Sequence, residues 1–570
     1  MLKNQREDGY LGTYYEDDAR IYEDYNAFGT SCGMRALIAF YEATGRKDVL
    51  EAVHRCMLWF CDNWKDSKTV CCGPLIIEVL VFCYYYTEDE ALIKFAEEYA
   101  EYVCEHDIFN TSYKAFSAPD LEYNSNHTAG LGTQARLPAL LYTVTGKEKY
   151  LYATENILNL MQQKCVQLTG SPVCVTEYLG PVSSINETEC CSYTFFNITY
   201  SYMSYITGKP IYGDYMETMF YNGVQGARKK DEKAIAYLSA PNQIYATESS
   251  SNAVGDMQVY APCYPVACCP VNSVAVLPEF VRGMILRDHE DNIYAVAYGP
   301  CELRYKDIHL TEETLYPFRN TVKFHIHSAK TFSVNLRVPQ WAKGYSITVN
   351  SEEVNAVQSE SEYLCVHRSW QDGDFLEVTF KAEIEIVKID DTDAGRKYLM
   401  AFKYGALVFS LHIAENWIPI QGRPATPLPE GWSWYNVMPQ YDEPKSYDFH
   451  EVLGLRKFKT TWNVALNEGL KPDDIVVEEI EPDGYAWSNP YIKLHLKGYR
   501  APFLCAPYPM RTFEPFGDKQ SVTEEMDLTL VPYGCTNLRI TYFPKAGKKI
   551  ALKNMENLEG ELNINDYKPN

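Results

Sequence analysis

No run of about 18 consecutive apolar residues occurs in the 570-residue chain, which argues against a membrane-spanning helix. The opening MLKNQREDGY lacks the apolar core of a secretory signal, so a cytoplasmic protein with reduced thiols is expected. Basic residues are in short supply. The 52 Lys and Arg face 76 Asp and Glu, leaving a net charge of −24, a field that repels nucleic acid and anionic membrane surfaces. A neutral, soluble ligand is the better match. Also missing are a phosphate-binding glycine loop, a Gly-x-Ser-x-Gly elbow and a basic patch. Histidine is sparse, and the N-terminal half carries only His54, His106 and His127.

What is present is a chain too long for one core, so two to four domains are expected. Tyrosine is abundant at 46 residues; its apolar face and hydroxyl suit carbohydrate, and equally cores and interfaces. The 18 cysteines are far below the density of a disulfide scaffold, and most are expected in the core.

The first half has helical periodicity. In MRALIAFYEATGRKDVLEAVHRCMLWFCDNW, Met34, Leu37, Ile38 and Tyr41 share one face, as do Leu50, Val53, Met57 and Phe60. Thr44-Gly45 breaks the chain between them, with Gly45 as a left-handed cap. The hairpin recurs as YTVTGKEKYL at 142–151 and YITGKPIY at 205–212, and in degenerate form as YYYTEDEALI at 84–93. Repeated helical hairpins bury their faces only against one another, which predicts a closed α/α toroid with a pocket at one end.

Near residue 290 the period changes to two. NIYAVAYGPCELRY, TVKFHIHSAKTFSVNLRVPQW, DFLEVTFKAEIEIVKI and KYLMAFKYGALVFSLHI alternate between turns such as Gln371-Asp372-Gly373-Asp374. After a Pro-, Trp- and Gly-rich segment from Trp417 to Tyr441, strand patterns resume in YIKLHLKGY and MDLTLVPYGCTNLRITYFP. The expected architecture is multidomain α + β. An (α/α)6-type toroid over 1–285, incomplete at its N-terminus, precedes β-sandwiches over 286–410 and 411–570. The acidic stretch from Glu478-Glu479 to Asp483 is expected to be a solvated loop, and His325 and His327 to be ordinary sheet residues.

Three cysteine doublets stand out: Cys71-Cys72, Cys190-Cys191 and Cys268-Cys269. Adjacent cysteines rarely reach disulfide geometry with each other. Each doublet is therefore inert packing, a metal clamp, or a reactive thiol beside its helper. Cys71-Cys72 has no carboxylate partner in evidence and is read as core. Glu189 and Cys191 form a Glu-x-Cys element, and with Cys268 and Cys269 they would supply one carboxylate and three thiolates, a tetrahedral set suited to zinc. Two unrelated pairs of buried cysteines would look the same.

Ordered along the chain, QREDGYLGTYY, the YEATG hairpin, TECCSYTFF, FYNGVQGARKK, CCPVNS, DNIYAVAYGPCEL, NLRVPQWA, SWQDGDFLEV and YGALVFSL resemble glycoside hydrolase family 127, the β-L-arabinofuranosidases. The resemblance covers nearly the whole chain. It implies an α/α toroid followed by β-sandwiches, and a Zn2+ ion held by Glu189, Cys191, Cys268 and Cys269. Glu189 is preferred to Glu187 because it keeps the spacing to Cys191.

By the same resemblance Cys268 is the nucleophile of a retaining exo-glycosidase that releases terminal β-L-arabinofuranose or a related plant-derived sugar. Glu177, in SPVCVTEYLG, corresponds to the acid/base. His127 in NSNHTAGLG and Tyr237 in AIAYLSAP are the candidate sugar contacts. The expected partner is an oligosaccharide or glycoconjugate, with no nucleic acid and no membrane; a homodimer is compatible with this. The chain departs from the family pattern in Tyr22-Glu23-Asp24-Tyr25-Asn26, where the family has His-Glu-x-Tyr-Asn. That difference bears on the sugar and leaves a catalytically inactive carbohydrate-binding relative as the alternative.

Overall fold

The computed structural model describes residues 2–15, 18–64, 73–123, 127–248, 250, 257–264, 268–391, 396–423, 428–440, 459–501, 504–505, 511–512 and 519–550. Cys71-Cys72 lies outside the described residues. The chain divides into two compact units, Met1–Cys165 with Glu177–Leu179, and Val166–Thr176 with Gly180–Asn570.

The first unit is helical. Its helices are α1 (Asp24–Thr44), α2 (Lys47–Asn63), α3 (Ile76–Thr87), α4 (Glu90–Glu105), the single turn α5 (Tyr113–Phe116), α6 (Thr128–Gln134), α7 (Leu137–Thr145) and α8 (Glu148–Lys164). The Thr-Gly repeats end helices as their chemistry requires. Gly45 and Gly146 lie in the left-handed region at φ 67° and 65°, and their N–H groups close on the carbonyls of Tyr41 and Tyr142. In the degenerate repeat Glu88 takes that conformation at φ 56°, despite the Cβ penalty that glycine avoids. Met34 and Ile38 on α1 and Val53, Met57 and Phe60 on α2 are buried, while Leu37, Tyr41 and Leu50 lie at the edges of those faces. Beneath them Glu78 accepts from Arg136 Nε at 2.9 Å and Nη2 at 2.7 Å, with Arg35 Nε at 2.9 Å on its other oxygen.

The second unit contains α9 (Cys190–Thr207), α10 (Ile211–Thr218), a π-helical turn over Met219–Val224, and α11 (Cys268–Met284). Gly208, in the third Thr-Gly repeat, caps α9 at φ 67°. The π turn presents the Asn222 side chain to the edge of the strand Leu407–His412, accepting from Val408 N and donating to the Ala406 carbonyl.

α11 runs directly into the strand Ile285–Arg287, which opens a five-stranded sheet. A six-stranded antiparallel sheet occupies the same stretch of chain up to Phe380. Alternate residues such as Val322, Phe324 and Ile326 are buried, the pattern of sheets that cover one another's inner faces. The turn at Gln371–Asp374 is present, with Gly373 at φ 93°.

An eight-stranded sheet follows, and its first strand is Ile384–Asp391. In it Leu407–His412 pairs with Glu525–Pro532, which in turn pairs with Ile492–Arg500, so strands from Ile384 onward share a sheet with strands from the C-terminal part of the chain. Alternation tells which face of a strand is buried, but not which sheet it joins. Of the acidic stretch, Glu478 and Glu479 end a strand, Val476–Glu479, that pairs with Ile492–Arg500, while Glu481 to Asp483 are exposed and outside any strand, as expected. Glu478 meets His495 of the neighbouring strand at 2.8 Å. The Trp- and Pro-rich segment supplies the hairpin strands Glu415–Pro419 and Tyr435–Pro439, which extend a small sheet through Tyr260–Ala261 to Ile235–Ala236. Among the described residues, no helix is long and apolar enough to cross a membrane.

Candidate active site

The strand Thr188–Glu189 pairs antiparallel with Leu238–Ser239, setting Glu189 opposite Leu238. The chain turns into α9 at Cys190, whose N–H donates to the Tyr237 carbonyl at 2.9 Å. One short ladder thus positions Glu189, Cys191 and Tyr237 together. α11 begins at Cys268, so Cys268 and Cys269 occupy its first turn. Pro270 follows where the missing N–H has no intrahelical partner to lose.

α9 and α11 lie against each other. Thr194 Oγ1 donates to the Asn272 carbonyl at 2.8 Å. Farther along, a Cβ built on Gly283 would stand 2.6 Å from Ser201 Oγ, so glycine permits the close approach. The two helices therefore leave the site side by side and bring their N-terminal ends together. Partial positive charge at those ends favours thiolate and carboxylate.

The ligating atoms of Glu189, Cys191, Cys268 and Cys269 all lie within 4.8 Å of one another. Cys191 Sγ and Cys269 Sγ are 3.1 Å apart, beyond the roughly 2.05 Å of a disulfide. Cys269 Sγ is 3.6 Å from Glu189 Oε1, and Asn272 Nδ2 donates to Cys191 Sγ at 3.2 Å. The Tyr237 hydroxyl lies 3.0 Å from Cys268 Sγ. Glu189, Cys191 and Cys269 are buried, whereas Cys268 is partly exposed.

The thiols differ accordingly in proton affinity. Hydrogen bonds from Cys191 and Cys269, with a smaller one from Tyr237, hold Cys268 well below the ordinary thiol range. Cys191 is pushed up, chiefly by its hydrogen bond to Cys268, and Cys269 chiefly by burial. A cluster of three sulfurs and one carboxylate in this space can hold a metal ion.

The family model described as the β-L-arabinofuranosidase GH127 catalytic domain matches residues 1–282. The GH127 middle-domain model of the same enzymes matches residues 292–382. The chain belongs to glycoside hydrolase family 127. It is a glycoside hydrolase of the β-L-arabinofuranosidase type.

Solved structures share the family 127 fold. One described as a glycoside hydrolase is 17% identical, with a TM-score of 0.71 over 96% of this chain and 86% of that one. A GH127 β-L-arabinofuranosidase from Geobacillus stearothermophilus is 16% identical, with a TM-score of 0.67 over 95% of this chain and 84% of the other. A third, a GH127 β-arabinofuranosidase, is 17% identical at a TM-score of 0.67, covering 96% and 83%. The helical N-terminal region followed by β-sheet domains is thus the family's α/α toroid with β-sandwiches. No curated protein sequence matches the chain.

In this family 127 chain, Glu189, Cys191, Cys268, Cys269 and Tyr237 are brought together within the second unit. Glu187 is elsewhere, accepting from Gln258 Nε2 at 2.5 Å. Cys190 is buried outside the cluster, and burial pushes its thiol up to about 12.

Glu177 and His127 meet in the first unit, with His127 Nε2 3.7 Å from Glu177 Oε2. His127 also caps α6, its Nδ1 accepting from Gly130 N at 3.2 Å. Thr176 and Glu177 both have positive φ, at 53° and 69°. Non-glycine residues are seldom held so outside functional or tightly constrained turns.

Sequence reasoning missed two residues at the cluster. Asn272 lies one turn beyond the cysteine pair on α11, and that spacing could have revealed it. The Tyr264 hydroxyl accepts from Tyr237 N at 3.1 Å and contacts the Ile235 carbonyl at 3.1 Å. Nothing local in the sequence marks that contact.

Proposed function

We propose that this chain is a retaining exo-glycosidase that releases terminal β-L-arabinofuranose, or a related plant-derived sugar, from an oligosaccharide or glycoconjugate. The observation that carries this reading is the convergence of Glu189, Cys191, Cys268 and Cys269 at two joined helix N-termini in a family 127 chain. Three sulfurs and one oxygen are a donor set suited to zinc, and zinc–sulfur bonds of about 2.3 Å imply tetrahedral edges of about 3.8 Å. The 3.1 Å separation of the Cys191 and Cys269 sulfurs would have to open by about 0.7 Å to reach that edge, whereas the 3.6 Å between Cys269 Sγ and Glu189 Oε1 already matches the shorter sulfur–oxygen edge that a zinc–oxygen bond of about 2.1 Å implies. Bound Zn2+ would supply the charge that keeps all three thiols deprotonated at neutral pH.

In the first step the Cys268 thiolate attacks the anomeric carbon and forms a carbon–sulfur bond. The bond to the aglycone oxygen breaks, and the Glu177 carboxyl gives that oxygen its proton. In the second step the Glu177 carboxylate takes a proton from water, the water oxygen attacks the same carbon, and the thiolate leaves. Two inversions give retention. Tyr237, and His127 beside Glu177, are the proposed sugar contacts. Cys269 and Cys191 anchor the metal and do not react.

The Tyr22 substitution for the family's histidine favours a second reading, a carbohydrate-binding relative without turnover. A panel of aryl glycosides, headed by a β-L-arabinofuranoside, decides between the two. Turnover by the parent enzyme and none by Cys268→Ser is the expected outcome. Full activity in Cys268→Ser refutes the nucleophile, and binding without turnover in the parent supports the second reading.

A further inference from the structure

We infer that Asn272 is a positioning residue of the thiol cluster, its amide fixing Cys191 as a metal anchor so that Cys268 alone is left to react. The inference rests on the metal reading above and adds how three chemically identical side chains come to have different tasks.

Residue 272 is tied to α9 at two atoms. Its side-chain Nδ2 donates to Cys191 Sγ at 3.2 Å, and its main-chain carbonyl accepts from Thr194 Oγ1 at 2.8 Å. Cys191 and Thr194 are three residues apart and share a face of α9, while Asn272 lies three and four residues beyond Cys269 and Cys268 on α11. The clasp therefore joins the first turn of one helix to the second turn of the other and sets the spacing between the two cysteine pairs.

The two ties do different work. The main-chain bond holds the helices in register whatever side chain stands at 272. The amide acts on the sulfur itself. An N–H donated to the sulfur occupies one lone pair and fixes which of the others can face a metal. Cys191 is buried and capped in this way, and Cys269 is buried against Glu189. Cys268 is the more exposed sulfur, with the Tyr237 hydroxyl as its neighbour. Substrate can thus meet one sulfur while the other two remain bound.

The test uses full-length protein stripped of metal and reconstituted with Zn2+ in competition with a chromophoric chelator, and separately with Co2+. Partners that orient metal ligands from outside the ligand set typically contribute on the order of 10- to 100-fold in metal affinity. Asn272→Ala is therefore expected to weaken Zn2+ binding by that factor, with Asn272→Asp at least as severe because an oxygen then faces the sulfur. The thiolate-to-Co2+ absorption band should also move.

Thr194→Val removes the other tie and is expected to leave the band in place. Wild-type Zn2+ affinity and an unmoved band in both Asn272 variants overturn the inference, as does a Thr194→Val shift equal to that of Asn272→Ala. If the parent protein binds neither Zn2+ nor Co2+, the metal reading itself fails. The inference, which concerns how a ligand to that metal is held, then falls with it.

Discussion

Replacing Tyr237 by phenylalanine removes one oxygen, 3.0 Å from Cys268 Sγ, and leaves the ring that packs against Tyr264. The hydroxyl can only donate to a thiolate, so its loss destabilises the charged form. A hydrogen bond to a charged group is worth about 1.5–3 kcal/mol. Cys268 is only partly buried, so solvent takes over some of the lost bond and the lower end applies. At about 1.4 kcal/mol per factor of ten, the thiol–thiolate balance should move roughly tenfold toward the thiol.

The sign follows from the direction already set by the fold. Cys268 is held below the ordinary thiol range, and Tyr237→Phe moves it back up, so the acid limb of any thiolate-dependent rate shifts to higher pH. The assay is the pH dependence of iodoacetamide alkylation at Cys268 in metal-free protein. The expected result is a rate roughly tenfold lower on the acid limb and unchanged on the plateau. A limb that stays in place, with the fold intact by circular dichroism, refutes the idea that this hydroxyl supports the thiolate.

The remaining predictions concern the anchor, the acid and the helical scaffold. Cys269→Ser should weaken Zn2+ retention in the chelator competition while sparing alkylation of Cys268; unaltered retention removes Cys269 from the ligand set. Glu177→Gln should slow hydrolysis most for poor leaving groups and least for activated aryl glycosides, whereas equal loss on every substrate argues against an acid role. Glu78→Gln removes the carboxylate charge shared by the buried Arg136 and by Arg35, and breaking a buried pair costs about 3–5 kcal/mol. Urea unfolding of the parent and variant measures this, and a loss below about 1 kcal/mol would show that neutral acceptors such as the Gly132 carbonyl suffice for Arg136.

The parts of this molecule legible from sequence are those encoded over a few residues. The Thr-Gly stops at Gly45, Gly146 and Gly208 follow from glycine's access to positive φ, and strand alternation such as that of Thr321–Ile326 follows from the pleat. The Glu-x-Cys and Cys-Cys elements were legible because each lies in the first turn of a helix or immediately before one. Their meeting was legible only through the resemblance to family 127, since it depends on α9 and α11 packing together and joins residues 78 apart in the chain. The sheet that strands from Ile384 onward share with C-terminal strands and the pairing of Val476–Glu479 were hidden, because strand partners are chosen across long separations. Tyr264 was invisible because its hydroxyl serves main-chain groups, which carry no residue identity.

The shared starting point of α9 and α11 also governs which changes in chain length the molecule can absorb. A helix advances about 100° per residue. One residue inserted between Cys269 and Gly283 would leave one end of α11 seated and rotate the other out of phase. Either the cysteines turn away from Glu189 and Cys191, or Gly283 gives way to a side chain against Ser201. Insertions beyond Met284 face no such gearing, because there the chain leaves the helix for the strand Ile285–Arg287. In descendants of this chain, the length of α11 should therefore stay fixed while the loops of the β-domains lengthen and shorten.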